Sequence, residues 1–120
     1  MTEWRIEPTD MYERAHKHYE KKQPQELKAV LDNLDRYFKT VAQGVHPQFV
    51  VAGYIHDEGK GVRALDQRGG AKGKLRQTRL YIYPDVDAKV LHLITIGDKN
   101  SQREDVKLSA DFVVKLNIRR

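Results

Sequence analysis

"LRQTRLYIYPDVDAKVLHLITI", Leu75 to Ile96, holds two runs of strand-forming residues around the turn signal Pro84-Asp85-Val86-Asp87. The first run, Leu75 to Tyr83, alternates. Leu80 and Ile82 fall on one side and belong in a core, while Gln77, Arg79, Tyr81 and Tyr83 fall on the other. The second run, Lys89 to Ile96, is apolar on both sides, with Val90, Ile94 and Ile96 against Leu91 and Leu93. A strand with two apolar faces is covered on both, so this run is expected to be central in its sheet.

Working upstream, Val62 to Gln67 and Phe49 to Ile55 are two more strand candidates. They are joined by His56-Asp57-Glu58-Gly59-Lys60-Gly61, which reads as a turn, and Arg68 to Gly73 reads as a flexible basic loop. The N-terminal third has a different period. Trp4-Arg5-Ile6 is a short strand candidate, and Asp10 with Glu13 spells a capping box for a helix running to about Lys22. Pro24 suits the first turn of a second helix, whose Leu27, Val30, Leu31, Leu34, Phe38 and Val41 make a 3.6-period stripe ended by Gly44 and Pro47. So short a link predicts an antiparallel helical hairpin. Downstream, Ser101 with Glu104 predicts the start of a last helix, running to about Leu116 and burying Val106, Ala110 and Val113. Strand, two helices, several antiparallel strands and a helix make an α+β fold: a small sheet with helices on it.

The 120 residues, 39% of them apolar, fit one domain over residues 1–120. There is no cysteine, hence no disulfide and no thiolate metal site. MTEWRIEP does not read as a signal peptide, and no apolar stretch approaches the roughly 18 residues of a membrane span. A soluble, cytoplasmic protein without membrane contact is expected. The formal charge of +5 is unevenly spread: residues 45–120 hold fourteen Lys/Arg against nine Asp/Glu, whereas residues 1–44 balance. Lys60, Arg63, Arg68, Lys72, Lys74, Arg76 and Arg79 face a single acid, Asp66, within twenty residues. Such an excess attracts polyanions, although a solvated loop with counterions has the same composition.

If Gln77, Arg79, Tyr81 and Tyr83 form an open face, Arg79 can pair with a phosphate while a base stacks on Tyr81. Stacking of this kind contributes roughly 1–3 kcal/mol per base. The competing reading packs the tyrosines under a helix with their hydroxyls at the rim.

The segment "KLRQTRLYIYPDVDAKVLHLITIGDKNSQREDV", Lys74 to Val106, resembles the RelE/ParE toxin superfamily, in its phage-derived and HigB-like branch. In that branch an Arg–x–x–Tyr-type strand, a turn, an apolar strand and a Lys–x–Ser–Gln helix start recur; here the strand reads Arg79-Leu80-Tyr81 and the helix start Lys99-Asn100-Ser101-Gln102. "GVRALDQRGG", Gly61 to Gly70, resembles the strand carrying another arginine of that family, and the helical hairpin and first strand stand in the expected places. The resemblance implies a curved antiparallel sheet, an N-terminal helical hairpin and a C-terminal helix. It also implies a metal-independent mRNA endonuclease, without cofactor, that acts in the ribosome and is held inactive by an antitoxin. Carried over residue by residue, Arg68, Arg79, Lys99 and Arg103 become the candidate catalytic group. Lys72, Lys74, Arg76, Gln77, Tyr81 and Tyr83 become candidate RNA contacts. Superfamily members often carry a His or Tyr near the C-terminus to move a proton; here no histidine or tyrosine follows His92. The gyrase-directed branch has the same fold, and a non-catalytic binding module of this fold is a further alternative.

Other motifs carry less. "RGGAKGKL" departs from a phosphate-binding loop at Arg68 and Leu75. His16 and His18, two apart on a helix, point away from each other. His46 and His56 read as structural or exposed rather than as parts of an acid–base cluster with Asp57 and Glu58. Ser101 reads as a helix cap rather than a nucleophile.

Overall fold

The computed structural model describes residues 3–69 and 74–119. The elements are β1 (Arg5–Pro8), α1 (Asp10–Lys22), α2 (Pro24–Ala42), β2 (Ile55–Asp57), β3 (Arg63–Asp66), β4 (Thr78–Asp85), β5 (Val90–Asp98) and α3 (Gln102–Ile118), with a single 3-10 turn at Pro47–Phe49. The five strands lie in the order β1-β5-β4-β3-β2. The α+β architecture is as expected, with one difference: β1 runs parallel to β5, so the sheet is mixed rather than wholly antiparallel. The chain reaches β5 from β1 only after α1, α2 and the strands β2 to β4, so this pair is not joined by a tight hairpin and is free to run parallel.

Strand β5 has a neighbour on either side and is buried from Val90 to Gly97. One face of the sheet carries Leu65, Leu80, Ile82, Leu91, Leu93 and Ile96 against the helical hairpin side chains Tyr12, Tyr19, Leu27, Val30, Leu34, Tyr37 and Val41. The other face carries Val62, Ala64, Tyr81 and Ile94 against Val113 of α3, with Val106, Leu108 and Phe112 half-buried beside them. A β-bulge reconciles the two. Tyr81 pairs with Thr95 and Ile82 with Leu93, which leaves Ile94 as the extra residue of β5. Beyond the bulge the alternation of β5 is reset, so Ile96 joins Leu91 and Leu93 rather than Ile94.

The bulge is held by the start of α1. Thr9 Oγ1 donates to the Ile94 carbonyl at 2.7 Å, and the Thr9 amide donates to the Leu93 carbonyl at 3.0 Å. The same Oγ1 accepts from the Tyr12 amide at 3.0 Å, so Thr9, not Asp10, caps α1. The Ser101 capping box also fails. Ser101 sits in helical geometry and makes no side-chain cap bond. Its hydroxyl donates to Asp105 Oδ2 at 2.6 Å, while Asp98 Oδ1 accepts from the amides of Asn100 and Ser101 at 2.9 and 3.1 Å.

This acidic knot rests on Gly97, where a Cβ would run into the Asp105 carboxylate and the Ser101 hydroxyl. Glycine is needed there for close approach of α3. Burial pushes the Asp105 carboxyl above its usual range, against the hydrogen bond from Ser101, which lowers it. A Gly97→Ala variant must displace the Asp105 side chain and break its bond with Ser101. We expect it to fold and to lose about 1–3 kcal/mol in denaturant unfolding. An unchanged stability would mean that α3 does not begin on this strand end.

At the opposite end of the same face, His92 stacks on Tyr83, its cross-strand partner, with centroids 6.1 Å apart, and meets Phe112 of α3 edge-on at 5.4 Å. Asp85 Oδ2 lies 4.0 Å from His92 Nε2, and Arg5 and Glu7 of β1 lie alongside. Burial, the largest cause, holds the imidazole below its ordinary value of 6.5; Glu7 opposes that shift and Arg5 adds to it. The unfolded chain then binds more protons than the folded one as pH falls below 6.5, so stability drops as the pH falls through that value. Urea unfolding across that range should show this slope, and His92→Gln should remove its share. A slope identical in the variant would contradict it.

Candidate functional site

At the Thr78 end of β4, the face that carries α3 turns from apolar to polar. Asp66 on β3 pairs across with Arg79 on β4, and His56 on β2 pairs with Ala64 on β3. Alternation puts these side chains on the same face as Ala64 and Tyr81, further along the strands. His56 was expected in a turn. It lies instead within β2, because the stretch from Phe49 to Tyr54 forms the 3-10 turn and irregular backbone and leaves only Ile55–Asp57 to pair.

Asp66 organises this end. Its side chain is 3% exposed. Oδ2 accepts from His56 Nε2 at 2.7 Å and forms an ion pair with Arg68 Nε at 3.2 Å, and Oδ1 accepts from the Arg68 amide at 2.8 Å. The Asp66 amide donates to the Tyr54 carbonyl at 2.9 Å. Its carbonyl accepts from Asn33 Nδ2 at 2.8 Å, and the same amide group donates to the Arg68 carbonyl at 3.0 Å. Asn33 is fully buried on the inner face of α2, and its Oδ1 accepts from Arg36 Nη1 at 3.1 Å. A buried carboxylate with this many donors cannot turn.

Arg79 is the second centre. Its Nη1 donates to Glu58 Oε1 at 3.2 Å, with the two side chains only 17% and 14% exposed. Its Nε is buried with no hydrogen-bond partner among the described residues. The ion pair is therefore single-bonded and leaves guanidinium donors unused. Taking both charges out of water costs several kcal/mol, which one bond offsets only in part.

The expected aromatic platform is absent. Tyr81 is fully buried under α3, so no base can stack on it. Its hydroxyl has no partner among the described residues, and burial, then the charges of Asp105 and Glu58, raise its pKa far above the tyrosine range. Tyr83 is half-buried, stacked on His92 and packed on Gly61. The alternation of β4 holds, and of the two readings of its second face the one with a covering helix applies to Tyr81.

The remaining candidates separate. Arg68 is 65% exposed and held by Asp66. Gln77 Nε2 donates to Gln102 Oε1 at 3.1 Å, which ties the approach to β4 to α3. Lys74 and Arg76 are exposed, with the Arg76 amide bound to Glu26 Oε2 at 3.2 Å. Lys72 lies outside the described residues. Lys99 and Arg103 are exposed at the same end of the sheet, since Gly97 pairs with Arg79, but neither makes a side-chain bond among the described residues. The N-terminus of α3 adds little positive potential, because Asp98, Glu104 and Asp105 already answer it.

Arg68 and Arg79 thus lie at one polar end of the sheet, each beside a carboxylate, with the His56 imidazole of edge strand β2 bonded to Asp66. His56, Glu58, Asp66 and Asn33 are the members sequence reasoning missed. The i, i+2 spacing of His56 with Glu58, and of Asp66 with Arg68, was their only signal. Among the described residues no helix is long and apolar enough to cross a membrane, and no group of three or more His, Asp or Glu side chains is placed to hold a metal ion. No protein-family model matches the chain, and no curated protein does.

Proposed function

We propose that this chain is the toxin of a type II toxin–antitoxin pair of the RelE/ParE kind, and a metal-independent endoribonuclease for ribosome-associated mRNA. In this reading the RNA 2′-hydroxyl attacks the adjacent phosphate, and charge gathering on the phosphate oxygens is met by Arg79 and Arg68. The observation that carries the reading is the placement of these two arginines, Arg79 on β4 and Arg68 in the turn after β3, at one polar end of the sheet, each held by a carboxylate. Preformed donors aimed at developing charge are the largest single source of rate in such reactions. Exposed Lys74, Arg76, Lys99 and Arg103 around them suit an RNA backbone, which binds through phosphate contacts. A cognate antitoxin would silence the site by covering this basic rim with carboxylates.

One observation favours a second reading. Glu58 and Asp66 already neutralise Arg79 and Arg68, and Tyr81 offers no stacking surface. That suits a binding module of the same fold that holds an antitoxin, RNA or gyrase without cutting.

Arg79 separates the two. Its burial beside Glu58 means that Arg79→Ala strands a carboxylate and costs about 1–3 kcal/mol, more than an exposed arginine would. Arg79→Gln, which can still donate to Glu58, is therefore the cleaner variant. Both should remain folded by circular dichroism and lower cleavage of ribosome-bound message by about 10²–10³-fold. Lys107→Ala, exposed on α3 one turn beyond Arg103, should leave the rate near that of the parent. A folded Arg79→Gln that cuts and poisons cells like the parent would remove Arg79 from the site.

A further inference from the structure

We propose that His56, oriented by Asp66, is the group that takes the proton from the RNA 2′-hydroxyl; this rests on reading the site as one that cleaves RNA. Attack by a 2′-hydroxyl needs a base within hydrogen-bond reach. The arginines stay protonated at any working pH and cannot serve. Tyr81 is sealed under α3, and His92 is packed between Tyr83 and Phe112 at the far end of the face. His56 differs from both: its side chain is 26% exposed, and it stands at the polar end beside the arginines.

The geometry sets its chemistry. His56 Nε2 bonds to Asp66 Oδ2 at 2.7 Å, so that nitrogen carries the hydrogen and Nδ1 keeps the lone pair. Asp66 stabilises the imidazolium that forms on protonation. It is itself pinned by Arg68 through both oxygens and by Asn33 through its carbonyl. The charged groups facing this dyad are Arg68, on the same carboxylate, and the Glu58–Arg79 pair, whose arginine stands opposite Asp66. A bond that served only to hold the edge strand β2 in place would not need the same oxygen to hold Arg68.

The step balances without a further reactant. Nδ1 takes the 2′-hydroxyl proton, the 2′ oxygen forms a bond to phosphorus, and the bond from phosphorus to the 5′ oxygen breaks. The 5′ oxygen leaves with a proton from water, and the imidazolium returns its proton to solvent. The products are a 2′,3′-cyclic phosphate and a 5′-hydroxyl. Asp66 and Asn33 are positioning residues, because Asp66 holds His56 and Arg68 while Asn33 holds backbone carbonyls and Arg36.

The test is a rate–pH profile with the full chain, on ribosomes programmed with a 5′-labelled synthetic message, across about pH 5 to 8 where histidine titrates. The parent rate should fall on the acid side as His56 is protonated. His56→Gln and His56→Ala, folded by circular dichroism, should lose about 10²-fold or more, together with that acid limb. They should retain message binding, and added imidazole should restore part of the His56→Ala rate. Asp66→Asn should lower kcat and move the limb while leaving KM near the parent value. Folded His56 variants with the parental rate and profile would overturn the assignment while leaving the ribonuclease reading standing. A parent chain that binds message without cutting it would overturn both.

Discussion

The apolar stretches of β4 and β5 have no face left for water, and the rest of the molecule is arranged around that fact. Leu80, Ile82, Leu91, Leu93 and Ile96 require a cover on one side, which the hairpin of α1 and α2 supplies. Tyr81 and Ile94 require a cover on the other, which α3 supplies through Val113 and the partly buried Val106, Leu108 and Phe112. The bulge at Ile94 lets one strand serve both layers, and Thr9 secures it by taking the bulged carbonyl. The polar end of the sheet is what α3 does not cover with apolar side chains. Its position is a consequence of how far the apolar layers reach.

Within that end, the carboxylate of Asp66 does for the polar groups what the bulge does for the strands. It fixes the rotamer of His56, the guanidinium of Arg68 and the backbone turn after β3 at once. Asn33 extends this order back into the hydrophobic face of α2. Charge near Arg79 is balanced rather than purely positive. In the proposed reading an RNA phosphate would have to compete with Glu58 for the Arg79 guanidinium, whose Nε is buried. A site built this way discriminates by geometry more than by long-range attraction, which falls to the exposed lysines and arginines around it.

Most of the fold was legible because its signals are periodic. The stripe from Leu27 to Val41 and Pro24 at a helix start were sufficient to place α2. Leu80 and Ile82 likewise faced the core as their alternation required. What failed depends on tertiary cover. The last helix was legible, but only Ser109 and Val113 of it are buried, so its sequence does not tell that it covers Tyr81. His56 was placed in a turn because the extended-looking run Phe49 to Tyr54 does not pair, a fact set by β3 and not by local propensity. Arg68 and Arg79 were visible as charges, but the carboxylate that holds Arg79 comes from Glu58, twenty-one residues upstream, beyond the end of β2. Alternation identifies which residues share a face, not what else arrives on it.

The central claim is that an RNA backbone sits at the polar end of the β2–β3–β4 face, and amide chemical-shift mapping tests it most directly. A short RNA with 2′-O-methyl groups, which cannot attack its own phosphate, would be titrated into the labelled chain. The account predicts shifts centred on His56, Glu58, Asp66, Arg68 and Arg79, joined by a weaker halo at Lys74, Arg76, Lys99 and Arg103. Shifts confined to α3, with β2 to β4 unmoved, would contradict it.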